Sequence, residues 1–166
     1  MMPDLVESAL QQPPFSSVRT RLLFTMQLQL NPVAVVGDIG AGTRRLGLLT
    51  GGTVAGDRVS GKVLAGGIDW QTLRGNASLL LDVRLGFQCD NGAIVTMAYR
   101  GVRCGSPEII GRLERGEEVD PANYYFRIAP MFETSDPELA WLNDIVALGI
   151  GHRFAGMPVY KVFEVL

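Results

Sequence analysis

Residues 78–102 read SLLLDVRLGFQCDNGAIVTMAYRGV, two apolar runs separated by a short polar turn. An Asn-Gly pair between two apolar runs is the strongest short-range signal for a β-hairpin. Both arms are longer than the usual strand, which is typical of the tilted strands of a barrel. The stretch therefore predicts a long antiparallel hairpin with its turn at a rim.

The pairing of this hairpin depends on the length of its loop. If Asn91-Gly92 is a two-residue loop, Arg84 faces Tyr99. A three-residue loop shifts the pairing by one residue and places Arg100 near Asp82. The two-residue loop is the first interpretation, and the three-residue loop is the alternative.

Outside the hairpin, the chain is a series of extended runs separated by glycine-rich turns. The remaining predicted strands are Arg21–Leu30, Arg45–Leu49, Arg58–Leu64, Ile68–Leu73, Tyr124–Phe132, Ile145–His152 and Val159–Leu166. No long helical pattern lies between successive strands, which argues against a parallel sheet. The sequence predicts an all-β protein, an antiparallel barrel of about 8–10 strands with one or two short helices.

Short helices are predicted at a few places. Ser106-Pro107 offers an N-cap followed by proline at the first helical position, and Ser135-Asp136-Pro137-Glu138 has the pattern of a capping box. A further short helix over Asp4–Leu10 precedes a proline break. We interpret residues 1–18 as a loosely attached leader and residues 19–166 as one barrel domain.

Composition excludes several classes of function. The chain has 166 residues, a net charge of -2 and no basic cluster, so nucleic-acid binding is not expected. It contains neither a signal-peptide pattern nor an apolar segment long enough to span a membrane, so a cytoplasmic protein without membrane contact is expected. A homodimer is expected as the means of covering strand edges and apolar surface.

Metal and cofactor chemistry also find little support. One histidine and two cysteines do not make a closed zinc site, and Cys89 and Cys104 are interpreted as free thiols in preference to a bridge. Gly40-x-Gly42 lacks the third glycine of a dinucleotide loop, because Arg45 occupies that position. We therefore expect no cofactor and no metal, and the isolated His152 is not assigned a catalytic role.

Several short segments together resemble one known family. They are Leu49–Thr53, Gly56–Gly61, Gly66–Gln71, Cys89–Ile94, Tyr99–Arg103, Tyr124–Arg127, Phe132–Thr134 and Ala140–Asn143. In this order, from about residue 20 to the C-terminus, the chain resembles the domain of unknown function 3237 family, also called uncharacterised protein family 0311. The resemblance implies a small antiparallel β-barrel similar to lipocalin-like barrels. His152 departs from the family, which usually has a small residue at that position.

The segments that resemble the family suggest a candidate site. Asp69 follows two glycines and is the hypothetical general acid or base, while Arg127 is the hypothetical cation for a substrate carboxylate or oxyanion. Alternation along the strand places Arg127 on the side of Tyr125, which would be the lumen. The candidate ligand-binding residues are Trp70, Gln71, Tyr99, Tyr125, Phe132, Trp141 and Asn143. The alternative is a structural Asp69–Arg127 ion pair with the aromatic residues as ordinary core.

Two functions follow from such a barrel. The first is binding of a small hydrophobic or phenolic metabolite, because a closed barrel of about eight to ten strands has room for one small ligand. The second is a cofactor-independent isomerase, cyclase or lyase that works by proton transfer in the same cavity. A purely structural module is the third and least favoured. The two leading hypotheses differ in whether Asp69 reaches the ligand with a perturbed pKa.

Overall fold

The computed structural model describes residues 4–13 and 16–166. Its strands are β1 (Thr20–Leu30), β2 (Ala34–Asp38), β3 (Thr43–Ala55), β4 (Gly61–Val63), β5 (Ile68–Leu73), β6 (Leu79–Cys89), β7 (Ile94–Cys104), β8 (Tyr125–Glu133), β9 (Ala147–Phe154) and β10 (Met157–Val165). Its helices are α1 (Asp4–Leu10), α2 (Pro107–Glu114) and two 3-10 helices, Pro121–Asn123 and Ala140–Asp144.

The strands form a closed antiparallel barrel with eight positions around its circumference. Going round the wall, the order is β1, β10, β9, β8, β7, β6, then β4 and β5 together, and β3, which pairs back onto β1. The short strands β4 and β5 share one position because they pair with different halves of β3. The predicted all-β antiparallel barrel with short helices is confirmed.

The central hairpin forms, but with the alternative register. Arg84 pairs with Ala98 rather than Tyr99, and Asp82 pairs with Arg100. The two-residue loop was therefore wrong. The loop has three residues and ends at Gly92, whose φ of 88° lies in the left-handed region that favours glycine. A turn followed by a left-handed glycine is the usual three-residue hairpin, and it shifts the pairing by one position.

The register also decides which residues of the hairpin share a face. Leu81, Val83 and Leu85 lie on the same face as Met97 and Tyr99. This shared face is the barrel interior.

The helix start predicted at Ser106 is confirmed, and the start predicted at Ser135 is confirmed in part. The Ser106 side chain accepts a hydrogen bond from the Ile109 N–H and caps α2, as the sequence predicts. In the second segment Asp136 rather than Ser135 is the acceptor, bonding the N–H groups of Glu138 and Leu139, and a 3-10 helix follows. The predicted helix Asp4–Leu10 is present as α1, whereas residues 1–3, 14 and 15 of the predicted leader lie outside the described residues.

The barrel interior is packed at one end and polar at the other. Phe24 packs edge-on against both Phe87 and Phe132 at the packed end. At the other end α2 lies across the opening, and Leu113 and Glu114 of α2 reach the lumen. None of the helices in the described parts of the chain is long and apolar enough to cross a membrane.

Candidate functional site in the barrel

The polar end of the barrel contains a cavity with a volume of about 410 Å³. It lies between the barrel wall and α2, and its walls carry apolar, acidic and basic side chains. The lining residues used below are Arg45, Asp69, Gln71, Leu79, Leu81, Arg103, Leu113, Glu114, Phe126, Arg153 and Tyr160. Its volume falls within the range of small-molecule sites.

Asp69 and Gln71 enter this cavity from β5. Residues two apart on a strand share a face, so both point inward while Trp70 between them points outward. Gln71 Nε2 donates a hydrogen bond to Asp69 Oδ2 at 2.7 Å. Asp69 Oδ1 and Gln71 Oε1 are buried and have no hydrogen-bond partner among the described residues. The hydrogen-bonding capacity of these two oxygens is therefore not satisfied within the described protein.

Burial raises the pKa of Asp69 from 3.8 to about 6, against the hydrogen bond from Gln71 and the charges of Arg103 and Arg45, which lower it. A carboxyl group that titrates near neutral pH can both donate and accept a proton. Because Oδ2 accepts the Gln71 hydrogen bond, the proton of the neutral acid belongs on Oδ1. The oxygen that changes protonation is thus the one without a protein partner.

Three arginines share the cavity wall, and two of them are held by one carboxylate. Arg45 Nη1 lies 2.5 Å from Glu114 Oε2, and Arg103 Nη2 donates to Glu114 Oε1. Burial raises the pKa of Glu114, but the hydrogen bonds and charges of the two arginines outweigh it and hold that pKa below its usual value. Glu114 is therefore ionised and ties α2 to β3 and β7.

The third arginine is placed differently. Arg153 lies near the end of β9, and its Nη1 donates to the Phe154 carbonyl oxygen at 3.0 Å. Burial lowers its pKa. Within residues 4–13 and 16–166, Arg153 forms no ion pair with a carboxylate.

A pair of tyrosines completes the floor of the cavity. Tyr160 lines the cavity, and Tyr99 lies behind it with the two ring centres 5.7 Å apart. Burial raises the pKa of both phenols, and the nearby Asp69 carboxyl raises them further. Both phenols therefore stay protonated over the physiological pH range, and the Asp69 carboxyl is the titrating group of this cluster.

The expected partnership of Asp69 with Arg127 is wrong. Arg127 does share a side of β8 with Tyr125, but that side is the outer wall, where the guanidinium carbon lies 4.8 Å from the Tyr125 ring centre. Phe126 and Ile128, the residues on either side of Arg127 along β8, are the ones that point into the barrel and are buried. Apolar side chains gain more from the lumen than an unpaired cation does, and this decides which face turns inward.

The remaining sequence candidates are scattered. Trp70 is 46% exposed on the outer wall, and Trp141 packs outside the cavity under the Arg58 guanidinium. Asn143 bonds the backbone of Thr134. Phe132 belongs to the packed end of the barrel. Of the predicted ligand-binding residues, Gln71 lines the cavity and Tyr99 lies directly behind it.

Sequence reasoning missed the three arginines, Glu114 and Tyr160. One of them had a readable signal, since Arg103 lies four residues after Tyr99 on β7 and thus on the same inward face. The others come from strands far apart in sequence, and their meeting depends on barrel closure. Among the described residues, no cluster of three or more side chains suited to hold a metal ion is present.

Comparison with known proteins agrees with this fold. A family model described as a protein of unknown function, DUF3237, matches residues 18–165. A UPF0311 protein of Rhodopseudomonas palustris is 38% identical over 150 residues, covering 90% of this chain and 98% of that protein. The crystal structure of a conserved protein of unknown function from this organism has a TM-score of 0.88 at 38% identity, covering 90% of this chain and 99% of the other.

Two further crystal structures share the architecture. A β-barrel-like protein from Acinetobacter baumannii has a TM-score of 0.81 at 36% identity, covering 93% of this chain and 99% of that one. An enzyme from Penicillium herquei has a TM-score of 0.67 at 21% identity, covering 90% of this chain and 95% of the other, a likeness in fold alone. The family match spans almost the whole barrel, and the chain belongs to the DUF3237 family, whose curated relatives are called UPF0311 proteins.

Proposed function

We propose that this protein binds a small organic molecule inside the barrel and that Asp69 exchanges a proton with it. The reaction class is a cofactor-independent isomerisation, cyclisation or elimination. One observation carries the proposal: a buried carboxyl group with a pKa raised to about 6 lines a ligand-sized cavity with one oxygen unpartnered. Carboxyl groups with such a pKa are suited to general acid–base catalysis near neutral pH.

The proposed step has a simple balance. Asp69 Oδ1 takes a proton from a C–H group next to a carbonyl; the C–H electron pair forms a C=C bond, and the π pair of the carbonyl moves onto its oxygen to give an enolate. The same Asp69 then returns the proton to a different atom of the intermediate. Gln71 holds the other carboxylate oxygen throughout, and the guanidinium groups on the wall stabilise the negative charge that develops on oxygen.

The second candidate is a binding protein that leaves its ligand unchanged. The apolar side chains Leu79, Leu81, Leu113 and Phe126 in the same cavity favour it, since they bind the body of a ligand without any chemistry. The three arginines argue against a wholly hydrophobic ligand, because buried cations need polar or charged groups beside them. A partly apolar molecule with a polar or phenolic group fits both sets.

A metabolite library screened by thermal shift against wild-type protein and Asp69→Asn tests the proposal. Each stabilising compound is then incubated with the protein in D2O and examined by NMR. Deuterium incorporated at carbon by wild-type protein but not by Asp69→Asn supports proton transfer. Binding without incorporation or conversion supports the second candidate. If no compound stabilises the protein, or if substitutions at Asp69 and Gln71 leave every stabilisation unchanged, the cavity is not the ligand site.

A further inference from the structure

We propose that the ligands of this cavity are small organic acids and that Arg153 binds their carboxylate group. This inference rests on the proposed use of the cavity as a ligand site, and it names the class of ligand. It is carried by the charge distribution around the cavity, by the position of Arg153 and by the apolar side chains of the cavity wall.

The cavity has an excess of positive charge. Three guanidinium groups face it, against two carboxyl groups, those of Glu114 and Asp69. One positive charge is therefore left over even when Asp69 is ionised, and two are left when it is neutral. An excess of charge in a partly enclosed site is costly unless an opposite charge enters. The charge of the ligand is thus expected to be negative.

The unpaired charge can be assigned to one residue. Arg45 and Arg103 both bond the Glu114 carboxylate, so their charges are partly neutralised within the protein. Arg153, by contrast, has no carboxylate at ion-pair distance among the residues that the structure describes. An incoming anion would therefore gain most from Arg153.

Arg153 is also held in place for this role. Its backbone N–H donates to the Tyr124 hydroxyl oxygen at 2.9 Å, and its Nη1 donates to the Phe154 carbonyl oxygen. One guanidinium hydrogen bond is thus used for orientation, and the other N–H groups have no partner among the described residues. The planar guanidinium matches the two oxygens of a carboxylate, so a bidentate pair fits the groups that are left.

The apolar part of the cavity wall restricts the remainder of the ligand. Leu79, Leu81 and Phe126 give the cavity an apolar side next to its charged one. A volume of about 410 Å³ is large enough for a single aromatic or short aliphatic acid together with several waters, at about 30 Å³ per water. A carboxylate at Arg153 with an apolar body against Phe126 satisfies both walls.

The test compares benzoate with benzamide, two probes of nearly equal shape that differ in charge. Affinities are measured by NMR titration at about pH 7.5, where carboxylic acids are ionised. We expect wild-type protein to bind benzoate at least about tenfold more tightly, as for hydrogen bonds to charged groups. The Gln71 side-chain amide signal reports whether either probe enters the cavity. This comparison requires no variant and is independent of effects on folding.

Two variants assign the preference to a residue. Arg153→Gln is expected to remove the preference for benzoate. Arg127→Gln, which changes an exposed arginine on the outer wall, is expected to keep it. Circular dichroism verifies that both variants are folded, and Arg153→Lys, which keeps the charge but loses the planar fork, is expected to have an intermediate affinity.

The proposal is overturned by equal affinity for the two probes, by unchanged benzoate binding in Arg153→Gln, or by the absence of saturable benzoate binding to wild-type protein. Failure of the proposed function gives a different result. If benzamide enters the cavity as tightly as benzoate, the cavity is still a ligand site and only the role of Arg153 is lost. If neither probe nor any library compound perturbs the Gln71 signal, the ligand site itself is refuted.

Discussion

Gln71 Nε2 lies 2.7 Å from Asp69 Oδ2, and both side chains are buried inside the barrel. The two residues share the inner face of β5, so the hydrogen bond links neighbours on one strand rather than distant parts of the fold. Trp70 between them belongs to the outer wall. The Asp-Trp-Gln sequence therefore contributes to both sides of the barrel wall. Asp69 and Gln71 form the acid–amide pair of the candidate site inside, and Trp70 lies outside.

The raised pKa of Asp69 predicts a pH-dependent stability. Burial raises this pKa from 3.8 to about 6, so between these values the native state binds more protons than the unfolded chain. The free energy of unfolding must then fall as the pH rises through this window. The shift corresponds to about 3 kcal/mol. Asp69→Asn, which resembles the neutral acid, is expected to be more stable than wild type above pH 6, by up to about 3 kcal/mol.

Urea unfolding of both proteins between about pH 3.5 and 8 measures this difference. The gain from Asp69→Asn should vanish at the acid end, where the carboxyl group is neutral in both states. Asp82→Asn serves as the control, because Asp82 lies on the neighbouring strand with its side chain 54% exposed. A stability difference for Asp69→Asn that stays constant with pH would contradict the raised pKa.

Glu114 is predicted to stabilise the fold by joining α2 to the barrel wall. Removal of one partner from a buried ion pair costs about 3–5 kcal/mol. The Glu114 side chain is 33% exposed, so we expect a smaller loss for Glu114→Gln, about 2 kcal/mol. Because its pKa is lowered in the folded protein, this contribution should decrease as the pH falls below about 4.5.

The matched control is Glu117→Gln, three residues further along. Glu117 pairs with Arg112 and Arg115 at the surface, where ion pairs contribute little. Chemical denaturation at neutral pH compares the two variants. Equal effects of the two substitutions would mean that the link between α2 and the barrel does not depend on Glu114.

The fold could be predicted from local signals. Glycine turns, alternating apolar residues and the Asn-Gly hairpin are properties of neighbouring residues, and they were sufficient to predict an antiparallel barrel with short helices. The hairpin register was missed because two- and three-residue loops share the Asn-Gly signature. Asn91 separates the two: a two-residue type I′ loop needs a positive φ at both Asn91 and Gly92, whereas in the structure only Gly92 of this pair has one.

The candidate site was less predictable, because it is assembled from distant strands. Asp69 and Gln71 could be found since they are two apart on one strand. Arg153 and Glu114 reach the same cavity from β9 and α2, and no pattern in one segment specifies that meeting. Arg127 was misplaced because alternation identifies which residues share a face but not which face is inside. The apolar neighbours of Arg127 carried that information.

Exposed apolar residues on the outer wall of the barrel predict that the protein self-associates. The expected reason, open strand edges, is removed by closure of the barrel, but an apolar patch remains on and beside β8 and β9. Its exposed residues are Met131, Val146, Leu148 and Ile150. Covering such a patch stabilises a dimer, and we expect a homodimer at micromolar concentration.

Leu148→Glu should shift this homodimer towards the monomer by placing a charge in the contact. Val35→Glu, at an exposed apolar residue on β2, is the control and should leave the mass unchanged. Light scattering of the wild-type protein and the two variants gives the answer. A monomeric mass for wild-type protein would refute the prediction.

Gly151 is predicted to be indispensable for the shape of the cavity. A Cβ atom added to Gly151 would lie 2.6 Å from Cδ1 of Phe126, which lines the cavity from β8. Phe126 is buried and packs edge-on against Tyr160, so a shift of its ring would disturb this packing, and overpacking of this kind costs about 1–3 kcal/mol. We therefore expect Gly151→Ala to lower the urea midpoint and to shift the ring signals of Phe126.

Gly86→Ala is the matched control, because its added Cβ would have its nearest neighbours at 3.7 Å, an ordinary contact distance. Loss of a strand glycine without a clash should be neutral or slightly stabilising, since alanine restricts the unfolded chain more than glycine does. If Gly151→Ala is as stable as Gly86→Ala and the Phe126 signals are unchanged, β9 must be able to move away from β8. The cavity wall would then be adjustable rather than rigid at the place where Arg153 and Phe126 line it.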